Sequence, residues 1–260
     1  MHAGARSPIG RAVHPQSNLM HQLVRALACC SLSLASPALA QDAPPKPREF
    51  TADLGFVNTA GNSEVTTLNV GEKIILRSGK WEHKQQGGSV YGSQDGKQTS
   101  NLLFINWRSD YALSGWLATF GYVGYDRNSF AGIARRFEEA LGLSATLLDV
   151  PSDVVKAELG AALTQQRSTL GSTNSFPSLR SGASWRHNFT EASYFLQQVE
   201  YLPSLEVGED YRVNSETSLV APLSSHVAMK VGYQLRFDNL PEPLRRKSDR
   251  IFLTSLQFNW

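Results

Sequence analysis

From Phe50 to Trp260, apolar residues return at every second position, and the runs are broken by Gly, Asn, Asp, Pro and Ser. Period-two patterning with turn residues between the runs predicts β-strands. Leu68, Val70, Ile74 and Leu76 share one face, with Asn69, Gly71 and Lys73 opposite. The clearest stretch sets Val155, Ala157, Leu159, Ala161 and Leu163 against Lys156, Glu158, Gly160, Ala162 and Thr164. Val227, Met229, Val231, Tyr233, Leu235 and Phe237 alternate in the same way with Lys230, Gln234, Arg236 and Asp238. The pattern predicts about twelve strands, at 49–58, 64–78, 80–92, 98–112, 115–126, 134–148, 153–167, 176–189, 191–203, 210–223, 226–238 and 248–260. In 115–126 and 191–203 both faces are apolar in places, so their inward side stays unassigned.

Strands in soluble domains average about 5–6 residues, whereas about 9–11 cross a bilayer. Long antiparallel strands with no helix between them predict an all-β fold, an antiparallel transmembrane β-barrel. The turns carry a second signal. With the N-terminus in the periplasm, even-numbered connections should be short, and they read as turn chemistry: Ser78-Gly79-Lys80, Leu113-Ser114-Gly115, Asp149 to Ser152, His187 to Glu191 and Leu223-Ser224-Ser225. Odd-numbered connections are mostly longer, as at 126–134, 166–175, 203–210 and 239–248. The final strand ends on Phe258-Asn259-Trp260, the kind of aromatic ending that barrel assembly machinery recognises.

The N-terminal 40 residues have a different character. His21 and Arg25 precede the apolar run Leu27 to Ala35, followed by Ala38-Leu39-Ala40. A basic start, a short apolar run and an Ala-x-Ala site predict a cleaved secretory signal over 1–40, with Met20 a natural start. Residues 41–48 (QDAPPKPR) read as a Pro-rich periplasmic linker, and 49–260 as the barrel. Both cysteines, Cys29 and Cys30, fall inside the signal, so the exported chain has no disulfide, no thiol nucleophile and no cysteine metal site.

Composition narrows the field further. The chain has 41% hydrophobic and 18% charged residues and a formal net charge of +2, which gives no electrostatic case for nucleic acid. Mean hydropathy is −0.27, and alternation hides barrel strands from such an average.

Three stretches carry a family resemblance. They are Gly55-Phe56-Val57-Asn58-Thr59-Ala60-Gly61-Asn62-Ser63-Glu64, the run Tyr233-Gln234-Leu235-Arg236-Phe237-Asp238-Asn239-Leu240-Pro241, and Arg246-Lys247-Ser248-Asp249-Arg250 before the last strand. With these the chain resembles the salt-induced outer-membrane proteins, a family of undetermined function. Relatives tend to carry Lys-Thr-Asp where this chain has Lys247-Ser248-Asp249. The resemblance covers nearly the whole region after the signal. It implies an outer-membrane β-barrel related to envelope or osmotic stress, and no catalytic residues.

In a closed barrel the polar half of the alternation points into the lumen. The inward candidates are Lys73, Arg108, Asp110, Arg136, Glu138, Lys156, Glu158, Arg180, Arg186, Glu216, Lys230, Arg236 and Asp238. With both signs present, two readings stand: a structural barrel filled by paired charges, or a narrow pore biased towards anions by Arg and Lys. A lipid-acting enzyme is a third reading. His83, His187 and His226 are the only histidines after the signal, none beside a recognisable serine motif, and Glu138 and Glu139 lie on opposite faces of one strand. No catalytic, cofactor or metal residues are expected. A soluble lipocalin-like periplasmic barrel is a fourth reading and would reverse the alternation, with apolar side chains inward.

Trp81, Trp107, Trp116, Trp185, Tyr111, Tyr201 and Trp260 fit interfacial girdles, mostly at the periplasmic end. Arg245-Arg246-Lys247 on the last extracellular loop could meet phosphates of lipopolysaccharide. The expected partners are outer-membrane lipids, lipopolysaccharide and the assembly machinery.

Overall fold

The structure, a computed structural model, describes residues 46–59 and 65–260. The expected signal and most of the linker lie outside the described residues. Twelve strands follow in chain order: β1 (Arg48–Thr59), β2 (Val65–Ser78), β3 (Trp81–Gln94), β4 (Lys97–Ala112), β5 (Leu117–Asn128), β6 (Ile133–Val150), β7 (Asp153–Ser168), β8 (Thr173–Asn188), β9 (Tyr194–Pro203), β10 (Tyr211–Pro222), β11 (Val227–Asp238) and β12 (Ser248–Asn259). Every strand pairs antiparallel with its chain neighbours, and β1 pairs with β12 to close the barrel. Closure leaves no strand edge to be covered. It is reinforced where Phe50 and Trp260 exchange backbone hydrogen bonds and their tilted rings meet at 5.3 Å.

The start of β1, the end of β12 and the turns β2–β3, β4–β5, β6–β7, β8–β9 and β10–β11 share one end, here the near end. The expected sorting of connections by length is only partly present. At the far end, β3–β4 is the two-residue turn Asp95-Gly96, with φ of 49° and 74°. A hairpin turn with both central residues at positive φ matches strand twist, which is why Asp-Gly suits it. β7 and β8 likewise run past the predicted ends to Ser168 and Thr173, so the stretch expected as a long loop is mostly ladder. Polar residues continue a ladder as well as apolar ones when backbone pairing is intact. Only β9–β10 and β11–β12 form long far-end connections among the described residues.

Alternation sorts the two faces. Outward positions carry exposed apolar side chains, such as Leu54 at 50%, Leu141 at 72% and Phe252 at 69%. Two belts of rings edge this surface. Trp81, Tyr111, Trp107, Trp185, Phe195 and Trp260 lie towards the near end, where Trp81 and Tyr111 meet at 4.8 Å. Tyr125–Phe137 and Tyr201–Tyr211–Phe237 contact one another towards the far end.

The buried interior is mixed rather than oily. Phe120, Ala140, Ala162 and Leu202 form its apolar cluster, with Tyr122 packed against it. Phe120 has room because Gly142 carries no side chain: a Cβ there would sit 2.8 Å from the Phe120 ring, and Gly160 lies opposite it across β6–β7. The inward side of β5 is therefore Phe120, Tyr122, Gly124 and Asp126, and that of β9 is Leu196, Gln198, Glu200 and Leu202.

Candidate functional site

One cavity of about 1070 Å³ occupies the lumen. Its lining reaches from near-end turn residues (Lys80, Gly115, Ser224) to far-end ones (Glu242, Arg246, Asp249). Spread over a barrel about 30 Å tall, that volume has a mean cross-section of about 35 Å².

All thirteen inward candidates, Lys73, Arg108, Asp110, Arg136, Glu138, Lys156, Glu158, Arg180, Arg186, Glu216, Lys230, Arg236 and Asp238, line this cavity. They do not act as one group. The densest cluster crosses the wall from β4 to β10. The Arg180 guanidinium on β8 donates to Glu138 on β6 at 2.8 Å and to Glu158 on β7 at 3.4 Å, and pairs with Glu200 on β9. Arg212 on β10 donates to the other oxygen of Glu138 at 3.1 Å and to the Thr164 hydroxyl at 2.9 Å. Arg108 on β4 donates to Glu158 at 2.5 Å and to Asp110 at 2.9 Å. Asn214 donates to Glu200 at 2.8 Å. Beneath these, Arg108 lies 4.2 Å from the Phe120 ring centre and Arg180 lies 4.4 Å from that of Tyr122. The aromatic floor of β5 thus supports guanidinium planes, a favourable arrangement for arginine. Gly182 makes space, since a Cβ there would lie 2.8 Å from Glu158 Cγ.

Three smaller groups surround that cluster. Lys230 on β11 sits 3.5 Å from both Asp53 on β1 and Glu216 on β10, tying across the closure seam. Near the turns, Arg77 joins Glu49 and Glu82, and Lys84 reaches Glu82 at 2.6 Å. At the far end, Arg136 donates to the Gln166 amide oxygen at 2.8 Å, and the Gln166 amide donates to Glu242 at 2.7 Å. Glu242 belongs to the β11–β12 connection, so this chain of bonds draws that loop over the mouth towards β6 and β7. A second cavity of about 280 Å³ lies under the same loop and includes Asp210. Burial and the neighbouring Asp238 push the Asp210 carboxyl up from the usual range.

Arg212, Glu200, Asp53, Glu82 and Lys84 belong to these groups but were missed in reading the sequence. Arg212 shares the parity of Asn214 and Glu216, and that signal could have found it. Glu200 was hidden because its strand is apolar on both faces.

His83, His187 and His226 lie outside the lumen groups. His83 contacts the Ser109 hydroxyl at 2.8 Å on the outer face, and that hydroxyl already accepts from Trp107 at 3.0 Å. His187 and Trp185 both bond Asp153, each at 2.9 Å. No carboxylate orients His83, and no group of three potential metal ligands exists among the described residues.

Residues 52–260 match the family described as protein of unknown function DUF481. The chain belongs to that family. It is also 21% identical over 215 residues to the uncharacterized protein YdiY of Escherichia coli K12, covering 82% of this chain and 84% of that one. Among solved structures it is similar to the NanC porin, with a TM-score of 0.46 and 10% identity over 80% of this chain and 97% of that one. It is similar as well to the translocator domain of the autotransporter NalP from Neisseria meningitidis, with a TM-score of 0.44 and 12% identity over 92% and 94% of the two chains.

Proposed function

We propose that this family member is an outer-membrane barrel whose lumen is a narrow aqueous channel for small polar solutes. The observation that carries the reading is the charge-lined cavity reaching from near-end turns to far-end loops. The near end is then periplasmic and the far end extracellular. Apolar residues outside and charges inside suit a bilayer on one side and water on the other, the reverse of a lipocalin-like soluble barrel. The two belts of rings have the placement that headgroup regions favour. The arginine–carboxylate cluster narrows the lumen on one wall and leaves the β11–β12–β1–β2–β3 wall less crossed.

The lipid-acting enzyme is the weaker reading, because His83 and Ser109 lack a third group to orient the imidazole. A link to salt stress rests on the family resemblance alone and would appear as raised expression after a salt shift. Contact between Arg245, Arg246 or Lys247 and lipopolysaccharide phosphates belongs to the same proposal.

Liposome swelling tests the channel. Vesicles carrying folded protein should swell in isosmotic solutions of small polar solutes and exclude oligosaccharides. Folded, inserted protein that admits neither overturns it.

A further inference from the structure

Most lumen charges on the strands have a partner of opposite sign, and three strand cations in the near half do not. Lys73 on β2, Lys156 on β7 and Arg186 on β8 form no ion pair with a carboxylate among the described residues. Each lines the main cavity. Lys156 and Arg186 are diagonal neighbours, since Lys156 pairs with Ser184 and Val154 with Arg186. Strands β2 and β8 stand opposite each other in the twelve-strand order, so Lys73 faces that pair across the lumen. Lys84, Lys230 and Arg186 all repel Lys73, while Glu49 attracts it. Lys156 is repelled by Lys84 and Arg108 and attracted by Glu82 and Asp110. Those carboxylates are already engaged: Glu82 holds Arg77 and Lys84, Asp110 holds Arg108, and Glu49 holds Arg77. Asp53 and Glu216 hold Lys230.

Arg186 is positioned rather than neutralised. Its guanidinium lies 3.7 Å from the centre of the Tyr194 ring, and its Nε donates to the Asn188 side chain at 2.8 Å. Stacking and a neutral acceptor orient the fork while leaving donors for another ligand. Unpaired cations of one sign facing a shared lumen destabilise an empty barrel, and binding sites retain such cost where function needs it.

We infer that Lys73, Lys156 and Arg186 form a binding site for a compact anion of two or more negative charges, phosphate or carboxylate in chemistry. This rests on the channel reading and deepens it: the site would select, in the periplasmic half of the lumen, what the channel passes. A multiply charged anion could touch both walls at once, which a monovalent chloride cannot. Arg186 suits a planar or tetrahedral oxyanion, and the two lysines supply mobile point charges.

The test measures binding at equilibrium, without current. Folded protein in a zwitterionic detergent is dialysed against inorganic pyrophosphate or citrate at moderate ionic strength, with erythritol as neutral control. Saturable binding of pyrophosphate, citrate or both is expected, with none for erythritol. Preference for one of the two anions assigns phosphate or carboxylate chemistry. The double variant K73Q/K156Q should bind at least tenfold more weakly, and R186Q should lose binding on its own. R127Q, on the outer face of β5, should bind as the parent does. Without ligand, Lys73→Met should raise the temperature at which the barrel unfolds in a gel-shift assay, because it removes a repelled cation. A lysine that merely filled space would give no change or a fall. The proposal is overturned if neither anion binds, or if the folded double variant binds as tightly as the parent. A barrel that binds anions without conducting would remove the channel and keep this site. One that conducts without binding would do the opposite.

Discussion

Arg180 on β8 and Glu138 on β6 are joined at 2.8 Å across the intervening strand β7, and both side chains are about nine-tenths buried. Arg180 also holds Glu158 and Glu200, so one guanidinium serves three carboxylates. Removing one member of a buried charged cluster leaves its partners uncompensated, a loss of roughly 3–5 kcal/mol. Arg180→Met should therefore lower the stability of the folded barrel by that order in denaturant titrations. Glu200→Gln, which keeps shape and one acceptor, should cost less. Equal losses for the two variants would mean that Arg180 is not the hub.

Loop closure makes a second prediction. The Arg136–Gln166–Glu242 chain draws the β11–β12 connection across the mouth. Glu242→Ala removes the last acceptor, and Gln166→Ala removes the bridge. Both should raise single-channel conductance or reduce closures, at a stability loss of about 1–3 kcal/mol for the lost charged hydrogen bond. Unchanged currents in both variants would show that the loop does not limit the lumen.

Much of this architecture is legible in the alternation. Val155 to Thr164 reads cleanly because one side of β7 meets apolar surroundings and the other meets charge. β5 does not read cleanly because its inward side carries Phe120 and Tyr122, chosen to underlie arginines rather than to meet water. The same holds for Leu202 on β9, which is 1% exposed inside the barrel. A period-two argument assumes that inward means polar, and it fails where the lumen is filled with rings. Which cations would pair was not legible either. Arg108 and Arg186 have the same parity signal, yet among the described residues one meets two carboxylates and the other meets none, a consequence of register between strands far apart in sequence.

The packing of Phe120 against Gly142 offers a third test. A Cβ on Gly160 would lie 2.4 Å from the Leu141 carbonyl oxygen, and one on Gly142 equally near that of Leu159. Gly142→Val should cost about 1–3 kcal/mol through overpacking. A smaller loss is expected when Phe120→Leu is combined with it, because the second change vacates part of the contested space. A loss that is the same with and without Phe120→Leu would remove the ring from the explanation.

A fourth prediction addresses the outer face. Leu141 lies midway along β6 and is 72% exposed. In lipid, Leu141→Arg should destabilise the barrel by about 2–4 kcal/mol, the cost of a charge near the bilayer midplane. The inward neighbour Ser144→Arg should cost less, since the lumen already hydrates charge. Comparable costs in lipid for both positions would contradict the assignment of faces.

The most direct test of the account is single-channel recording of the folded wild-type barrel in a planar bilayer. Small, discrete current steps are predicted, altered by Glu242→Ala and shifted in ion preference by K73Q/K156Q. Inserted, folded protein that gives no discrete steps would contradict the claim that the lumen conducts.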